Sequence, residues 1–570
     1  MLSHPAEKTI AKILSFGSAF VTVFLLTSAV TDPVNVTKLF AIGGVAFAAI
    51  AAALYGGFKL IWVSSKSWLI VLVLFLIFSI SAVINSAGPL AQNIYGSYGR
   101  NNGFILYLCL LFIALAASLL RTQSSFRLVI FGLFTAGIIN VAYSLWVILF
   151  GDFVGWTNQY GNILGTFGNP NFVGAFLGIF ASAVVAFAVG KGVTWKWRGV
   201  AGLVFLITLY EIINSSAIQG RVVLAAGLSI IGFYLIRSYF NSWIITSFYS
   251  LGITIGAIFS LLGALQIGPL TKYIYKRSVS LRGEYWDAGW NIGASHPLTG
   301  VGFDTYGDWY RRARNASALI EPGPNTTTNT AHNVPLDIFA FGGWPLFISY
   351  LTILLLAGIA LVRVTLRSRG YDAVFVTIAV AWFCYQLQSI ISINQIGLAI
   401  WGWLLSGALI AYERSTRISI GNKTVANQKP KNMGRQVANS IKREQIISPL
   451  FVATIGMVIG LIITLPPLSA DIKWRSANVS KSAEQLEQAL AGSYLNPHTS
   501  FRYGTAADLF ESSKLYDLAY KYAKLGVEFN PDSFDAWRLL YLISKSTPQE
   551  KALAFENMKR LDPKNKNLFG

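Results

Sequence analysis

A polar, basic segment between about Gln266 and His332 holds the residue types that could do chemistry on an anion. Guanidinium groups bind phosphate oxygens in a two-pronged fork and stay charged at any working pH. A neutral imidazole, such as that of His332 in Ala331-His332-Asn333, can take the proton from an attacking hydroxyl. The basic side chains of the segment are those of Lys272, Lys276, Arg277, Arg282, Arg311, Arg312 and Arg314. The combination predicts a site that binds an anionic, lipid-borne substrate and moves one proton.

Three arginines are the candidates for binding the anion. Arg282 stands just ahead of a Trp-rich amphipathic stretch, where the alternative is an arginine that reaches to lipid phosphates. Arg221 follows the polar pair Gln219-Gly220 and opens an apolar stretch, so it faces either a polar cavity or a lipid headgroup. Arg100 lies in the polar turn Tyr98-Gly99-Arg100-Asn101-Asn102-Gly103, with a functional and a structural role equally open.

His332 is the candidate for the proton transfer, because it stands beside Asn333 at the mouth of an apolar stretch. The chain has four histidines, and none has a partner at metal-ligand spacing. His296 precedes a proline and is expected to be structural. The cluster of Arg311, Arg312 and Arg314 is expected to be solvated or to face lipid.

Paired carboxylates offer a rival chemistry in the same segment. Glu284 and Asp287 are one helical turn apart and could share a divalent ion, although a salt bridge to a neighbouring Arg or Lys is the preferred interpretation. Asp304 and Asp308 have the same two interpretations. The two cysteines lie within apolar stretches, and no glycine-rich motif follows a strand. We therefore predict neither a metal site nor a cofactor.

The segment lies among stretches apolar enough to cross a bilayer. Hydrophobic residues make up 54% of the 570 residues and charged residues 12%, whereas soluble domains carry roughly 25% charged residues. Spans of about 17–25 apolar residues are predicted near 11–30, 37–57, 67–85, 103–120, 128–150, 170–190, 199–214, 222–237, 243–265, 336–362, 373–392, 396–412 and 448–466. The stretch at 199–214 is the weakest because it contains Glu211, which could pair with Arg221 or face a cavity. We expect an all-α bundle of about 12–13 transmembrane helices.

The charge pattern predicts the orientation of these spans. With a cytoplasmic N-terminus, the short outer segments hold only Lys38, Arg100 and Arg221, whereas the inner segments are rich in Lys and Arg. The loop at 266–335 and the chain after residue 466 are then extracytoplasmic. The net charge of +20 reflects mostly this asymmetry, so it does not indicate a nucleic-acid partner. The partners it does indicate are membrane lipids.

Composition changes after Ser469, where charged residues become frequent. The segments Leu495-Asn496-Pro497, Phe529-Asn530-Pro531 and Leu561-Asp562-Pro563 place prolines 34 and then 32 residues apart. A period of 34 residues closed by proline resembles a short tetratricopeptide array, which offers a groove to a protein partner. The alternative is a plain helical cap without a ligand. We predict a membrane domain at 1–412, a basic cytoplasmic linker at 413–447, a further transmembrane helix at 448–468, and a tetratricopeptide-like α-helical domain at 470–570.

A series of short motifs runs through the membrane part in a fixed order. These are Leu164-Gly165-Thr166-Phe167-Gly168-Asn169-Pro170-Asn171, Ser215-Ser216 to Arg221, Arg282, Pro297-Leu298-Thr299-Gly300-Val301-Gly302, His332-Asn333 and Phe341-Gly342-Gly343. Their order and placement resemble the O-antigen ligase/polymerase superfamily over about residues 10–412. That family includes ligases that attach O-antigen to lipid A-core, polymerases of repeat units and bacterial protein O-oligosaccharyltransferases. The added C-terminal domain departs from the simplest ligases.

The resemblance implies a membrane glycosyltransferase of the bacterial cytoplasmic membrane. It would transfer a glycan from an undecaprenyl-pyrophosphate donor to an acceptor hydroxyl on the outer face, without a metal. Arg282 and Arg221, with Arg100 as a third candidate, would bind the pyrophosphate. His332 would activate or orient the acceptor, and Asn333 would fix His332 or bind a sugar hydroxyl. The acceptor stays open among glycan, lipid and protein.

Two other classes of function remain open from the sequence. A flippase or exporter of lipid-linked glycans would also have charged cavities among many spans. No inverted repeat is evident, however, and the polar residues concentrate in one loop rather than at mid-membrane. A non-catalytic scaffold is the third class, in which the C-terminal domain would carry the function.

Overall fold

This computed structural model of the protein describes residues 4–56, 65–274, 281–426 and 447–568. The described residues form α-helices and short helical turns, with no β-sheet. The helices are α1 (His4–Lys12), a π-helical turn (Ile13–Gly17), α2 (Ser18–Val23), α3 (Asn35–Gly56), α4 (Lys66–Ile84), α5 (Leu90–Tyr95), α6 (Phe104–Ala117), α7 (Gln123–Phe150), α8 (Pro170–Ala188), α9 (Trp195–Asn214), α10 (Ile218–Phe240), α11 (Trp243–Ala264), α12 (Thr271–Ile274), α13 (Arg282–Ser295), α14 (Tyr306–Ala313), α15 (Ser317–Ile320), α16 (Val334–Arg367), α17 (Ala373–Ser389), α18 (Ile396–Ala426), α19 (Pro449–Ser480), α20 (Ala483–Leu490), α21 (Ser500–Ser512), α22 (Tyr516–Phe529), α23 (Phe534–Leu542) and α24 (Pro548–Leu561). Lys276, Arg277 and most of the predicted linker at 413–447 lie outside the described residues.

Within the described ranges, 10 helices are long and apolar enough to cross a membrane. They are α3, α4, α7, α8, α9, α10, α11, α16, α18 and α19. Two shorter apolar helices, α6 and α17, match two further predicted spans. The first predicted span corresponds to α1, the π-helical turn and α2. The prediction of a polytopic helical bundle is therefore confirmed, whereas its orientation stays a prediction from the charge pattern.

Glu211 lies in α9, the span that was weakest in the sequence. Its side chain is fully buried, and neither carboxylate oxygen has a hydrogen-bond partner among the described residues. Of the two alternatives for Glu211, the pair with Arg221 does not form; the Arg221 guanidinium donates instead to the carbonyl of Ile213 at 3.4 Å.

Helix α19, which precedes the C-terminal domain, packs tightly on α3, the first long helix of the bundle. Gly43 of α3 and Gly460 of α19 meet so closely that a Cβ on Gly460 would lie 2.1 Å from the Gly43 carbonyl oxygen. Small residues permit such close helix approach in membranes. Beyond this contact, Asp471 of α19 accepts hydrogen bonds from the backbone N–H of Thr31 at 2.8 Å and from the Tyr98 hydroxyl at 2.8 Å. These contacts fix the C-terminal helices over one end of the bundle.

That end carries residues 281–333 and is called the loop face below. Helix α16 begins there and is interrupted at Gly342-Gly343, where the backbone angles are not helical. The loop after α13 supplies hydrogen bonds at the interruption: Val301 N–H donates to the Ala340 carbonyl at 2.9 Å, and Trp344 N–H donates to the Pro297 carbonyl at 2.8 Å. Buried backbone groups need such partners. The loop and the membrane helix therefore form one unit.

Gly300, in the middle of this loop, is required where the loop approaches the interruption of α16. Gly300 has a φ of +62°, a region that L-residues rarely adopt. A Cβ at Gly300 would also lie 2.3 Å from the carbonyl carbon of Phe341. The Pro-x-x-Gly-x-Gly motif at 297–302 thus has a physical origin in the broken helix.

The C-terminal helices have a hydrophobic core of their own. Trp474 of α19, Tyr503 and Phe510 of α21, and Tyr522 of α22 are among its buried side chains. Helices α21 and α22 pack as one pair, and α23 and α24 pack as the next. The Asn530-Pro531 turn follows α22 directly. The tetratricopeptide-like nature of this domain stays a prediction.

Candidate functional site

A cavity of about 1170 Å³ lies between the loop face and the C-terminal helices. Arg100, Arg282 and His332 line its membrane side, and residues of α21, α22 and α23 line its other side. In the sequence, Arg100 precedes Arg282 by 182 residues and His332 by 232 residues. The structure brings three of the five predicted site residues to one cavity.

The backbone at His332 turns its imidazole into the cavity. Its φ is +53°, and the following Asn333 begins the cap of α16. Imidazole Nδ1 lies 3.3 Å from the carbonyl oxygen of Thr330. Nδ1 also lies 3.3 Å from the Thr330 hydroxyl. In the tautomer that donates to the carbonyl oxygen, the proton is on Nδ1 and the lone pair is on Nε2. The ring lies 5.4 Å, centroid to centroid, from that of Tyr285.

Two side chains hold the backbone on either side of His332. Asp337 accepts a hydrogen bond from the N–H of Ala331 at 2.7 Å and is buried. The side-chain oxygen of Asn333 accepts from the N–H of Leu336 at 3.0 Å, as a helix N-cap does. Asn333 is buried and does not line the cavity, so its visible contact is with the helix start.

Arg100 lies on a loop that a buried carboxylate anchors. Asp304 accepts hydrogen bonds from the N–H of Ser97 at 2.7 Å and from the N–H of Asn102 at 3.1 Å. The Arg100 Nε donates to Asn329 Oδ1 at 3.1 Å. Asp304 is thus a loop anchor through backbone N–H groups, rather than the metal ligand or salt-bridge partner that the sequence left open.

Arg282 begins α13, which packs against the backbone before His332. Gly289 of α13 lies so close to Ala331 that an added Cβ would be 3.1 Å from the Ala331 side chain. The Tyr306 hydroxyl donates to the carbonyl of Tyr285 at 2.6 Å and fixes the same helix from the other side. Burial lowers the pKa of the Arg282 guanidinium, which nevertheless stays charged at any working pH.

The structure does not bring Arg221 to the cavity. Its side chain is exposed and is not among the lining residues. The Glu284–Asp287 pair also forms other contacts than expected: Glu284 accepts from the Ser317 hydroxyl at 2.8 Å, and Asp287 accepts from Asn315 Nδ2 at 3.0 Å. The preferred salt-bridge interpretation of these two carboxylates stays a prediction, because the neighbouring Lys276 and Arg277 lie outside the described residues.

No group of three His, Cys, Asp or Glu side chains that could hold a metal ion exists in the described parts of the chain. The independence of metal remains a prediction. His296, expected to be structural, packs its ring 4.6 Å from that of Trp309 and contacts the Ser295 hydroxyl at 3.0 Å.

The arginine cluster at 311–314 is neither solvated nor lipid-facing, so that expectation was wrong. Arg314 donates from Nη2 to both carboxylate oxygens of Asp562, at 2.8 and 2.7 Å, and both side chains are fully buried. Arg311 approaches Asp562 at 3.4 Å, and Arg312 pairs with Asp532 at 3.1 Å. The cluster therefore holds the C-terminal helices over the cavity.

Two further residues line the cavity: Tyr285, which was not a candidate from the sequence, and Asp308, which was considered only as a metal ligand or salt-bridge partner. Asp308 accepts a hydrogen bond from Gln92 Nε2 at 3.1 Å, and burial raises its pKa to about 6. Tyr285 stands one turn after Arg282 and lines the cavity beside His332. The helical spacing of Tyr285 from Arg282 was the available signal, because residues three apart share a helix face.

Comparison with known families adds an independent finding. Residues 173–351 match the model of the O-antigen ligase family. The matched part runs from α8 into α16 and contains Arg282 and His332, whereas Arg100 and the C-terminal helices lie outside it. No curated protein matches the chain. The match supports a multi-pass membrane protein with a glycan-transfer role of the ligase or polymerase type.

The protonation state of His332 gives the first prediction. Burial, with the positive charges of Arg282 and Arg100, lowers the pKa of His332 to about 4. The neutral imidazole is the form that can accept a proton, and its fraction falls only as the pH falls through about 4. We expect kcat/KM for transfer to show no loss attributable to His332 between pH 5 and 7. NMR titration of labelled histidine checks this directly, and a His332 titration near the ordinary value of about 6.5 contradicts it.

Proposed function

We propose that the protein transfers a glycan from an undecaprenyl-pyrophosphate donor to an acceptor hydroxyl at the outer face of the bacterial cytoplasmic membrane, as a ligase or polymerase. The observation that carries the proposal is the convergence of Arg100, Arg282 and His332 in one cavity at the mouth of the membrane helices. The match of residues 173–351 to O-antigen ligase supports the same class of reaction.

The reaction needs two kinds of assistance. As the acceptor oxygen forms a bond to the anomeric carbon, the bond from that carbon to the phosphate oxygen breaks, and the electron pair leaves with the lipid pyrophosphate. Positive charge placed where this negative charge grows stabilises the transition state more than the ground state. Arg282 and Arg100 supply two such guanidinium groups.

The acceptor hydroxyl must also lose its proton. In the His332 tautomer that donates from Nδ1 to the Thr330 carbonyl, Nε2 is the atom that accepts that proton. The depressed pKa keeps Nε2 unprotonated before the substrates bind. The bound pyrophosphate then favours the imidazolium form that appears during the reaction, because an opposite charge nearby stabilises it.

The test of the function uses purified protein in detergent with a fluorescent lipid-linked glycan. A transferase releases undecaprenyl pyrophosphate and yields a longer or ligated glycan, without any membrane gradient. A flippase leaves the donor intact under these conditions, and that result overturns the proposal. Label that appears on a protein instead identifies the protein O-oligosaccharyltransferase alternative.

Replacing Arg282, inside the cavity, and Arg221, outside it, gives a prediction with its own control. Arg282→Ala should lower the transfer rate about 10–100-fold, because a hydrogen bond to a charged group contributes about 1.5–3 kcal/mol and Arg100 remains in place. Arg221→Ala should transfer at close to the wild-type rate, since the Arg221 guanidinium lies outside the cavity. The same assay measures both. An equal loss in the two variants shows that the cavity does not define the pyrophosphate site.

A further inference from the structure

The C-terminal helices form one side of the cavity, and this side is a groove rather than a flat surface. Helix α21 contributes Phe501, Gly504, Thr505 and Asp508 to its lining. The spacing of three, four and seven residues puts these side chains on one helix face. At Gly504, an added Cβ would meet no atom within 4 Å. The middle of this helix face is therefore open space.

Helix α23 contributes a second set of lining side chains with the same spacing. Asp535, Arg538, Leu539 and Leu542 line the cavity from this helix. Among the described residues, the side chains of Asp508 and Arg538 have no hydrogen-bond or ion-pair partner. The groove formed by α21 and α23 thus presents an acid and a base in one cavity, with aromatic and aliphatic surface beside them.

The groove continues into the part of the cavity that holds His332. Phe501 marks the junction: one face of its ring stacks on Tyr98, two residues before Arg100, at 4.4 Å and 6°. The Phe501 side chain is still 44% exposed. The whole cavity, at about 1170 Å³, exceeds the roughly 300–1,000 Å³ of ordinary small-molecule pockets.

We propose that this groove, defined by Phe501, Asp508, Asp535 and Arg538, binds the acceptor as an extended glycan chain of more than one sugar. The inference rests on the proposed glycan transfer and adds where the acceptor lies. The donor is tethered to the bilayer by its lipid and approaches from the membrane side, where Arg282 lies. The groove opens into the same cavity as His332, so an acceptor chain bound in it reaches His332 from the side away from the bilayer.

The lining suits a carbohydrate. Carboxylate and guanidinium groups form hydrogen bonds with hydroxyl groups, and Phe501 offers a ring for the apolar face of a sugar. The sequence favoured a protein partner for the C-terminal repeats. The groove leads instead into the reaction site, so its occupant is the molecule that reacts.

The experiment measures binding of acceptor oligosaccharides to the full-length protein in nanodiscs. The probes are fluorescent fragments of one, two and four repeat units, from the surface polysaccharide of the source organism. For the wild type, we expect affinity to rise with length. For Asp508→Ala/Arg538→Ala, we expect at least tenfold weaker binding of the four-unit fragment and a flat dependence on length. Asp517→Ala/Lys545→Ala is the matched control, because it removes an acid and a base of the same domain that do not line the cavity.

Several results overturn the proposal. The first is that the wild type and the cavity variant bind the four-unit fragment equally well. The second is that the control variant binds it as weakly as the cavity variant does. The third is that the protein prefers hydroxyl-containing peptides and loses that binding in the cavity variant. The last result identifies a peptide groove. Binding does not require catalysis, so these measurements are made without donor. The transfer assay tests the proposed function, and the binding assay tests the groove. A wild type that binds the fragments but does not transfer glycan contradicts only the proposed function.

Discussion

Replacing His332 with asparagine should lower glycan transfer by about 10²–10⁴-fold, the usual contribution of a positioned acid–base group. Asparagine lacks a basic nitrogen but tolerates the positive φ of 53° that His332 adopts. Alanine at this position would add backbone strain to the loss of the imidazole. The asparagine variant therefore separates chemistry from folding. Transfer by purified protein at saturating donor and acceptor is the measurement, with the amount of inserted protein determined alongside.

The matched control is His296→Asn, the same substitution in the same loop. The His296 ring packs on Trp309 and does not line the cavity. We expect this variant to retain transfer to within a few-fold. A wild-type rate in the His332 variant shows that another group takes the proton, and Asp308, with its pKa of about 6, is then the next group to test.

Breaking the Arg314–Asp562 pair should lower the free energy of local opening of the C-terminal helices over the cavity by about 3 kcal/mol. Removing one partner of a buried ion pair leaves an uncompensated charge and costs about 3–5 kcal/mol. In Arg314→Ala, Arg311 remains 3.4 Å from Asp562 and offsets part of the loss, so we expect the lower end of that range. Hydrogen exchange in α24 should then be about 10²-fold faster, because exchange follows the free energy of local opening.

Two further variants show why hydrogen exchange becomes faster in Arg314→Ala. Arg312→Ala breaks a pair with Asp532 in which both side chains retain some exposure, so its effect on exchange should be smaller. Arg314→Met/Asp562→Leu removes both charges and should exchange more slowly than Arg314→Ala. A double variant that is no better than the single one indicates lost packing, rather than a buried charge, as the cause.

The sequence predicted the membrane helices well because bilayer thickness and apolarity determine them locally. Twelve of the thirteen predicted spans lie in one helix or extend at most three residues beyond it, and even the stretch with Glu211 is a helix of spanning length. The first, predicted at 11–30, is divided among three short elements and runs seven residues past the end of α2 at Val23. The end of the last bundle helix was misplaced: α18 continues to Ala426, whereas the predicted span ended at residue 412. The polar residues after 412 gave no apolar signal, although they continue the helix.

The site was only partly predictable, because its geometry depends on contacts between distant segments. His332 and Arg282 were recognisable from their motifs and share the cavity with Arg100. Arg221 had an equally suggestive position at the start of a span, and the sequence could not show that its side chain lies outside. The partner of Arg314 is 248 residues away, so no local pattern pointed to the buried pair.

The interruption at Gly342-Gly343 makes the site sensitive to the lipid around it. The short segment between His332 and the interruption is joined to the loop at 297–302, whereas the longer remainder of α16 extends through the bilayer. A transmembrane helix responds to a change in hydrophobic thickness by tilting or kinking. Glycines permit such a change at this point. In bilayers of different acyl-chain length, the remainder of α16 can tilt while His332 and its loop stay together, so membrane thickness should tune turnover without rearranging the imidazole.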